Sequence, residues 1–165
     1  MNLELDRDFI RRAGLTMDAE DLRLGLSLGL VPPPAAVDIA RDAVAEGSVD
    51  PTLLDLAQIH RNDLASVRAA LRAKDPDAAD LFPPSSVRKW TYLELKAAFE
   101  MRKHLSAPLG IVEQIYAAFE YPEAVAPFVR YMPPPPGEPV GEEALYERWS
   151  KYLAKESTDL TGAEN

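Results

Sequence analysis

A chain of 165 residues, of which 47% are hydrophobic and 27% charged, has the composition of one globular domain. The net charge of -9 argues against a partner made of nucleic acid or of anionic lipid, and it favours a basic protein as partner. The chain has no cysteine, which excludes disulfide bonds and thiolate metal ligands, and its acidic first residues resemble no signal peptide, so we expect a cytoplasmic protein.

Apolar residues in the first half of the chain recur at helical spacing, and capping residues and prolines separate one predicted helix from the next. A short helix is predicted over residues 6–12, ending before Gly14. Thr16 is the predicted N-cap of a second helix that runs to about residue 28. Three more helices are predicted over residues 34–46, after the cap Asp50 and after the cap Asn62.

Five leucines between residues 22 and 30 alternate strictly, which is the spacing of a β-strand. Leu22, Leu26 and Leu30 also share one face of a helix, and the sequence offers no partner strand. We therefore predict a helix here and keep a strand as the alternative.

The second half of the chain is richer in proline. Pro122 and Pro127 would each cost about 3 kcal/mol inside a regular helix, so we predict one or two short helical turns over residues 122–131. Residues 133–136 are four prolines and should be extended. The other predicted elements are a loop over 73–86, a long helix over 87–104, a helix that opens at Pro108 and a last helix over 142–155.

These elements predict an all-α fold. We expect a single compact domain over residues 1–156, with eight or nine short helices, and a disordered polar tail over residues 157–165. Short connections favour antiparallel pairs of helices, and a loose, solenoid-like stack of such pairs is one arrangement of them. The sequence leaves the oligomeric state open.

No segment has a convincing pattern for a catalytic, cofactor or metal site. Gly25, Ser27 and Gly29 match G-x-S-x-G, but that motif requires a turn between a strand and a helix, and here it lies in a leucine-rich segment. We interpret it as small residues packed between helices. The two histidines lie 44 positions apart, and the aspartates at positions 75, 77 and 80 lack the glycine of a calcium loop. We therefore predict no catalytic residue, no cofactor and no metal ion.

Two segments carry a family resemblance. Lys89, Trp90 and Tyr92 form a K-W-x-Y motif, and residues 119–134 read FEYPEAVAPFVRYMPP. Over roughly residues 16–140 the chain resembles the bacterial domain-of-unknown-function family 2247. The resemblance implies an all-helical fold and a bacterial source, and it implies no activity.

The segment 119–134 has two interpretations. As part of a core, Tyr121 and Met132 fall at inward spacings, Arg130 caps carbonyls or pairs with a carboxylate, and the Tyr131 hydroxyl reaches a buried partner. As a surface patch, Tyr121, Arg130, Tyr131 and Met132 include the residue types that are enriched at interface hot spots. The spacing of these residues favours the core interpretation. The surface interpretation is the one that suggests a function.

Our functional hypothesis is a non-catalytic protein-binding module, such as an immunity or antitoxin-like protein that neutralises a basic toxin or effector. The immunity role is an analogy with small acidic bacterial families. The alternative is an enzyme that uses dispersed carboxylates together with Arg130, which requires a polar pocket within reach of that side chain.

Trp90 lies one turn into the predicted long helix, on a face that it shares with Leu93, Ala97 and Met101. We expect this face to be buried, with Trp90 in the core where the helix meets residues 119–132.

Overall fold

The computed structural model describes residue 3 and residues 5–72 and 82–162, and within them every element of regular secondary structure is helical. This confirms the all-α prediction. Eight α-helices are present in the described residues: α1 (Arg7–Arg12), α2 (Ala19–Ser27), α3 (Pro33–Ala45), α4 (Pro51–Gln58), α5 (Leu64–Leu71), α6 (Pro84–Glu100), α7 (Pro108–Ala118) and α8 (Glu142–Gly162). The same part of the chain contains two 3₁₀ turns, Arg102–His104 and Ala126–Phe128. Most of the predicted loop over 73–86 lies outside the described residues.

The chain divides into two compact units, here called the N-terminal unit, which ends at Trp90, and the C-terminal unit, which begins at Thr91. The boundary falls inside α6, so that this helix contributes its first seven residues to one unit and the remainder to the other.

Aspartates cap four helices of the N-terminal unit, because a short carboxylate accepts the amide hydrogen bonds that a first helical turn leaves open. Asp50 caps α4, as the sequence predicts, and Asp6, predicted as the first residue of a helix, is instead the cap of α1. The caps of α2 and α5 differ from the prediction. Asp18 caps α2 in place of Thr16, because Asp18 and Asp21 exchange hydrogen bonds in a capping box.

The cap of α5 is Asp63 and not Asn62. The Asp63 carboxylate accepts hydrogen bonds from both the amide and the hydroxyl of Ser66. These two bonds hold the pKa of Asp63 below its usual value. Asn62 instead donates its amide to the Nδ1 atom of His60, within the turn that precedes the helix.

Helix α3 supplies the centre of the N-terminal core. Ala36, Val37 and Ala40 on one face of α3 are completely buried, and the helix packs against α4. On another part of α3, Asp42 accepts two hydrogen bonds from Arg7 of α1, at 2.5 and 2.8 Å. The small side chains allow a close approach of helices, and the ion pair fixes the first helix against the third.

The leucine-rich segment is helical, and the strand alternative is wrong. Helix α2 ends at Ser27, and Gly29 takes a φ of 69° just after it. The amide of Leu30 then returns to the carbonyl oxygen of Gly25, at 2.8 Å. The helix stops in the middle of the alternating pattern. Leu22 is buried within α2, and Leu30 is buried in the turn that follows it, so one strand is not needed to bury both.

Aromatic side chains fill the core of the C-terminal unit. Trp149 of α8 is completely buried and stacks on Phe128, with ring centroids 6.1 Å apart and an interplanar angle of 3°. Phe99 of α6 meets the same indole edge-on at 5.1 Å. The 3₁₀ turn that carries Phe128 confirms the short helical turn predicted within residues 122–131.

Two helix ends in the C-terminal unit differ from the prediction. Helix α6 stops at Glu100, because the Arg102 guanidinium takes the carbonyl oxygen of Phe99 that a continued helix would use. Met101, expected on the buried face, is therefore 42% exposed.

Helix α8 continues to Gly162, through the first residues of the segment that we predicted to be a disordered tail. The hydroxyls of Thr158 and Thr161 bond to carbonyl oxygens one turn earlier, and Glu156 is buried. The prediction of a disordered tail rested on polar composition, and it is wrong for residues 157–162, where polar side chains form hydrogen bonds to the backbone of the helix. Residues 163–165 lie outside the described residues.

Candidate functional site

The end of α7 places an exposed tyrosine. The amide of Tyr121 donates to the carbonyl oxygen of Tyr116 at 2.8 Å, and the amide of Glu120 donates to that of Ala117 at 3.2 Å. This pair of bonds is a Schellman motif, whose left-handed position usually holds glycine. Here Glu120 and Tyr121 adopt φ values of 61° and 60°. Two consecutive non-glycine residues in this region are unusual, and they fold the chain back over the helix.

Three tyrosines meet at this turn and are called the tyrosine surface: Tyr116, Tyr121 and Tyr131. The Tyr116 ring is buried and lies 5.2 Å from the Tyr121 ring and 6.3 Å from the Tyr131 ring, measured between centroids. Tyr121 and Tyr131 are each 60% exposed. Partial desolvation among these rings raises the pKa of Tyr131, so its hydroxyl is a neutral donor at physiological pH.

Arg130 is held beside the tyrosine surface by a glutamate of α7. Its Nε and Nη2 atoms donate to the two carboxylate oxygens of Glu113, at 2.7 and 3.0 Å. This bidentate pair raises the pKa of Arg130. Glu113 precedes Tyr116 by three residues, which places both on one face of the helix. The arginine and the aromatic cluster therefore share the same supporting helix.

Arg130 also borders a cleft of about 570 Å³. Arg130 and Met132 line it together with Arg148 of α8 and residues at the starts of α7 and α8. Arg148 is nearly buried, and its Nε and Nη1 atoms donate to the carbonyl oxygens of Pro127 and Pro139, at 2.6 and 2.8 Å. The proline-rich wall of the cleft is thus fastened to α8.

Tyr146 also lines this cleft. Partial burial raises the pKa of its hydroxyl, and the negative charge of Glu142 acts in the same direction, while Arg102 and Arg130 oppose the shift. Tyr146 therefore supplies a neutral hydroxyl at physiological pH.

The first two residues of the K-W-x-Y motif, Lys89 and Trp90, lie in the N-terminal unit and bind α2. Lys89 donates from Nζ to the Asp21 carboxylate and to the carbonyl oxygen of Thr16, both at 2.8 Å. Trp90 donates from its indole nitrogen to the carbonyl oxygen of Asp21, at 2.7 Å. Trp90 is completely buried, so its predicted burial is confirmed, and α2 is a partner that the sequence did not suggest. The predicted contact with residues 119–132 stays a prediction.

Comparison with known proteins gives one match. Residues 8–157 match the bacterial family described as "Uncharacterized protein conserved in bacteria (DUF2247)". The chain belongs to this family. No curated protein matches the chain, and no solved structure matches it. The family resemblance that the K-W-x-Y motif and the segment 119–134 indicated is therefore confirmed.

The four candidate residues divide between two neighbouring features of this DUF2247 member. Tyr121 and Tyr131 belong to the tyrosine surface, Met132 belongs to the cleft, and Arg130 touches both. The inward position predicted for Tyr121 is wrong, because the left-handed turn directs its ring onto the outer side of Tyr116.

Sequence reasoning missed three residues that build this region: Glu113, Tyr116 and Arg148. The spacing of Glu113 and Tyr116 on one helical face was a usable signal. Arg148 gave none, since its partners are two backbone carbonyls in a distant proline-rich segment.

The remaining motifs are accounted for within the described residues. The Ser27 hydroxyl donates to the carbonyl oxygen of Arg23 inside α2, so it does not stand at a strained turn. Among the described residues, no three metal-ligating side chains come together, and the aspartates at 75, 77 and 80 lie outside that part of the chain. Of the helices in it, none is both long enough and apolar enough to span a bilayer.

Proposed function

We propose that this protein is a non-catalytic binding module that uses the tyrosine surface and Arg130 to bind a basic protein. The observation that carries the proposal is the pair of exposed rings, Tyr121 and Tyr131, which rest on one buried ring, Tyr116. Tyrosine and arginine are enriched at interface hot spots, because they bury a large area with few rotatable bonds and keep a polar group for hydrogen bonding.

Local charge supports a basic partner. Between residues 110 and 147 the sequence has seven glutamates and one positively charged residue, Arg130, which is itself paired with Glu113. Glu120 and Glu123 lie on either side of Tyr121 in the chain and are exposed. A lysine or arginine of the partner would find a carboxylate and an aromatic face close together, and both attract cations.

The turn that carries Tyr121 is fixed before any partner arrives. Its backbone is held by two hydrogen bonds, and its ring packs edge-on against Tyr116. Ordering a side chain at an interface costs about 0.5–1.5 kcal/mol, so a ring that is already placed gives more net affinity. An immunity protein that neutralises a basic toxin in the bacterial cytoplasm is the biological setting that we propose for this chemistry.

Deca-arginine and deca-lysine are suitable probes for the proposal, since they carry the partner's charge in a defined form. We expect a two-dimensional NMR titration of the full chain to shift amides of residues 113–132 first. The Tyr121→Ala/Tyr131→Ala double variant should weaken deca-arginine binding by about tenfold, in line with the loss of two hot-spot rings. Val49→Ala, which alters an apolar side chain that is 83% exposed in the N-terminal unit, is the matched control.

Equal binding by the double variant and the parent would overturn the proposal, because attraction would then reflect net charge alone. Uniform amide shifts over the whole acidic surface would overturn it as well. The immobilised parent, double variant and Val49→Ala control can also be exposed to a bacterial lysate. The required result is a basic protein that the parent and the control capture and the double variant does not.

The enzyme alternative requires a polar pocket within reach of Arg130, whereas much of the wall of the cleft beside that side chain is apolar. Its described lining contains a single carboxylate, Glu142, which is exposed. We propose no reaction for it.

A further inference from the structure

We infer that the cleft beside Arg130 is a binding site for a small organic monocarboxylate, with the carboxylate held by Arg130 and Arg148 and an apolar body against the wall that contains Met132 and Leu145. This site does not rest on the proposed protein-binding function. The two share Arg130, but the tyrosine rings are not part of the cleft lining.

The distribution of positive charge is the first argument. Residues 105–150 contain seven glutamates and two positively charged side chains, Arg130 and Arg148, and both of these line the same cleft. They come from segments 18 residues apart in the sequence. Each guanidinium also has a carboxylate partner, Glu113 for Arg130 and Glu138, at 3.6 Å, for Arg148. The attraction for an anion therefore depends on the N–H groups that these partners leave unoccupied.

Spare hydrogen-bond donors are the second argument. Arg130 uses Nε and Nη2 for Glu113, and Arg148 uses Nε and Nη1 for two carbonyl oxygens. A guanidinium has five N–H groups, so Nη1 of Arg130 and Nη2 of Arg148 keep donors that bond to none of the described residues. Because their other donors are occupied, both guanidiniums are already oriented, and a ligand needs to order neither of them.

The size and the lining of the cleft define the rest of the ligand. A volume of about 570 Å³ is within the range of about 300–1,000 Å³ that is typical of small-molecule sites. Much of the wall is apolar, with Leu109, Met132, Val140 and Leu145 among its residues. A ligand that filled the cleft would therefore bury an apolar body.

Glu142 limits the charge of the ligand. Its carboxylate lines the same cleft as the two arginines, so a second negative charge on the ligand would meet repulsion. This favours a monocarboxylate over a phosphate dianion. Tyr146 adds a hydroxyl that can donate to the ligand or accept from it.

The test is a titration of the full-length protein with 3-phenylpropionate, benzoate and octanoate, followed by amide shifts in NMR and by calorimetry. At least one acid should bind saturably and shift amides that line the cleft, such as those of Leu109, Gly141 and Leu145. Its neutral carboxamide should bind about tenfold more weakly, because it lacks the charge-assisted hydrogen bonds. Inorganic phosphate should compete poorly with the acid.

Two variants separate the cleft from general surface binding. Val140→Trp places a large ring at a residue that is 77% exposed and lines the cleft, so it should fold like the parent and lose acid binding about tenfold or more. Val49→Trp makes the same change at an exposed residue of the N-terminal unit and should bind like the parent.

Absence of saturable binding by all three acids would overturn the inference. So would equal affinity for acid and carboxamide, unchanged binding in Val140→Trp, or phosphate binding as tight as that of the best acid. Deca-arginine binding is measured separately, with the tyrosine double variant. Failure of the monocarboxylate site therefore does not contradict the protein-binding surface, and the reverse also holds.

Discussion

Two regions of this protein use the same kinds of side chain in opposite ways. In the N-terminal unit, Lys89 and Trp90 close on Asp21, and both Trp90 and Asp21 are buried. In the C-terminal unit, Arg130 stands beside Tyr131, with the arginine paired to Glu113 and the ring 60% exposed. An aromatic ring, a cation and a carboxylate therefore build the fold in one place and an accessible surface in the other.

The difference lies in where the polar groups point. The indole nitrogen of Trp90 and the ammonium of Lys89 both turn inward to bond to atoms of Asp21. Burying such groups is tolerable because each finds a partner, and removing one partner leaves the other desolvated. Tyr121 and Tyr131 are each 60% exposed, so we expect loss of either ring to leave no desolvated partner behind. Stability and binding should accordingly respond to mutation in different regions.

The largest expected effect is that of Trp90→Ala. Removing a fully buried indole, together with its hydrogen bond to the carbonyl oxygen of Asp21, should lower the free energy of unfolding by about 3–5 kcal/mol. Chemical denaturation measures this directly. Tyr131→Ala is the counterpart on the exposed surface, and it should cost less than about 1 kcal/mol. A melting temperature for Trp90→Ala within a degree or two of the parent would remove Trp90 from the core and erase the contrast.

Gly25→Ala tests the same region from the opposite side. A Cβ at residue 25 would overlap the Trp90 ring, with Cε2 at 2.8 Å. Because the ring is buried, we expect a loss of about 1–3 kcal/mol, which is typical of overpacking. Gly162→Ala is the matched control, since a Cβ at Gly162 in α8 meets no atom within 4 Å. The two variants should separate in thermal melts, and equal melting temperatures would contradict the close packing of α2 on Trp90.

A smaller effect of opposite sign is expected for Glu120→Gly. Glu120 occupies the left-handed position of the Schellman motif, at a φ of 61°. Glycine removes the Cβ strain of about 1 kcal/mol and adds freedom to the unfolded chain, so the net gain should be roughly 0.5 kcal/mol. Denaturation in urea can resolve this against Glu123→Gly, a change at an exposed neighbour outside the motif. If both variants lost stability equally, the turn would not be strained at Glu120.

The smallest expected effect is a pH dependence at Asp18. Burial is the main cause that raises the pKa of Asp18 above its usual 3.8, and the nearby charge of Asp21 acts in the same direction. The folded state then binds this proton more tightly than the unfolded state does. Ionisation of Asp18 therefore lowers the free energy of unfolding as the pH rises from the unfolded-state pKa through the raised folded-state pKa.

Asp18→Asn isolates this contribution, because asparagine keeps the capping oxygen and cannot ionise. Relative to the parent, the variant should gain stability as the pH rises through that window, and the two should be closest at the acidic end. Denaturation curves for both proteins between about pH 3 and pH 7 provide the comparison. A constant difference over that range would contradict the raised pKa.

The sequence predicted helices well wherever one residue decides the geometry. Asp50 with Pro51 begins α4, and Pro108 begins α7, because proline and a capping carboxylate suit only the first turn. The prediction of Thr16 as the cap failed because Asp18 makes two hydrogen bonds there: its carboxylate accepts from the Asp21 amide, and its amide donates to the Asp21 carboxylate. The end of α8 failed because side chains that look polar in composition bond to the helix itself.

The candidate site was predicted in part, for a related reason. An exposed patch with Tyr121, Arg130 and Tyr131 was one of two interpretations of the segment, and the structure places the two rings on Tyr116. The turn that exposes Tyr121 was not predicted, since glutamate is an uncommon residue at a left-handed position. The link between Lys89 and Asp21 crosses 68 residues, and local periodicity carries no information about such a distance.

The contact between Gly25 and Trp90 also has a meaning for how this protein changes over generations. Trp90 has space for its ring only while residue 25 has no side chain. A lineage that acquired alanine or serine at position 25 would need a smaller side chain at position 90 to avoid the overlap. Once position 90 had changed, a side chain at position 25 would no longer be harmful. The two positions, 65 residues apart in the sequence, are therefore expected to change together.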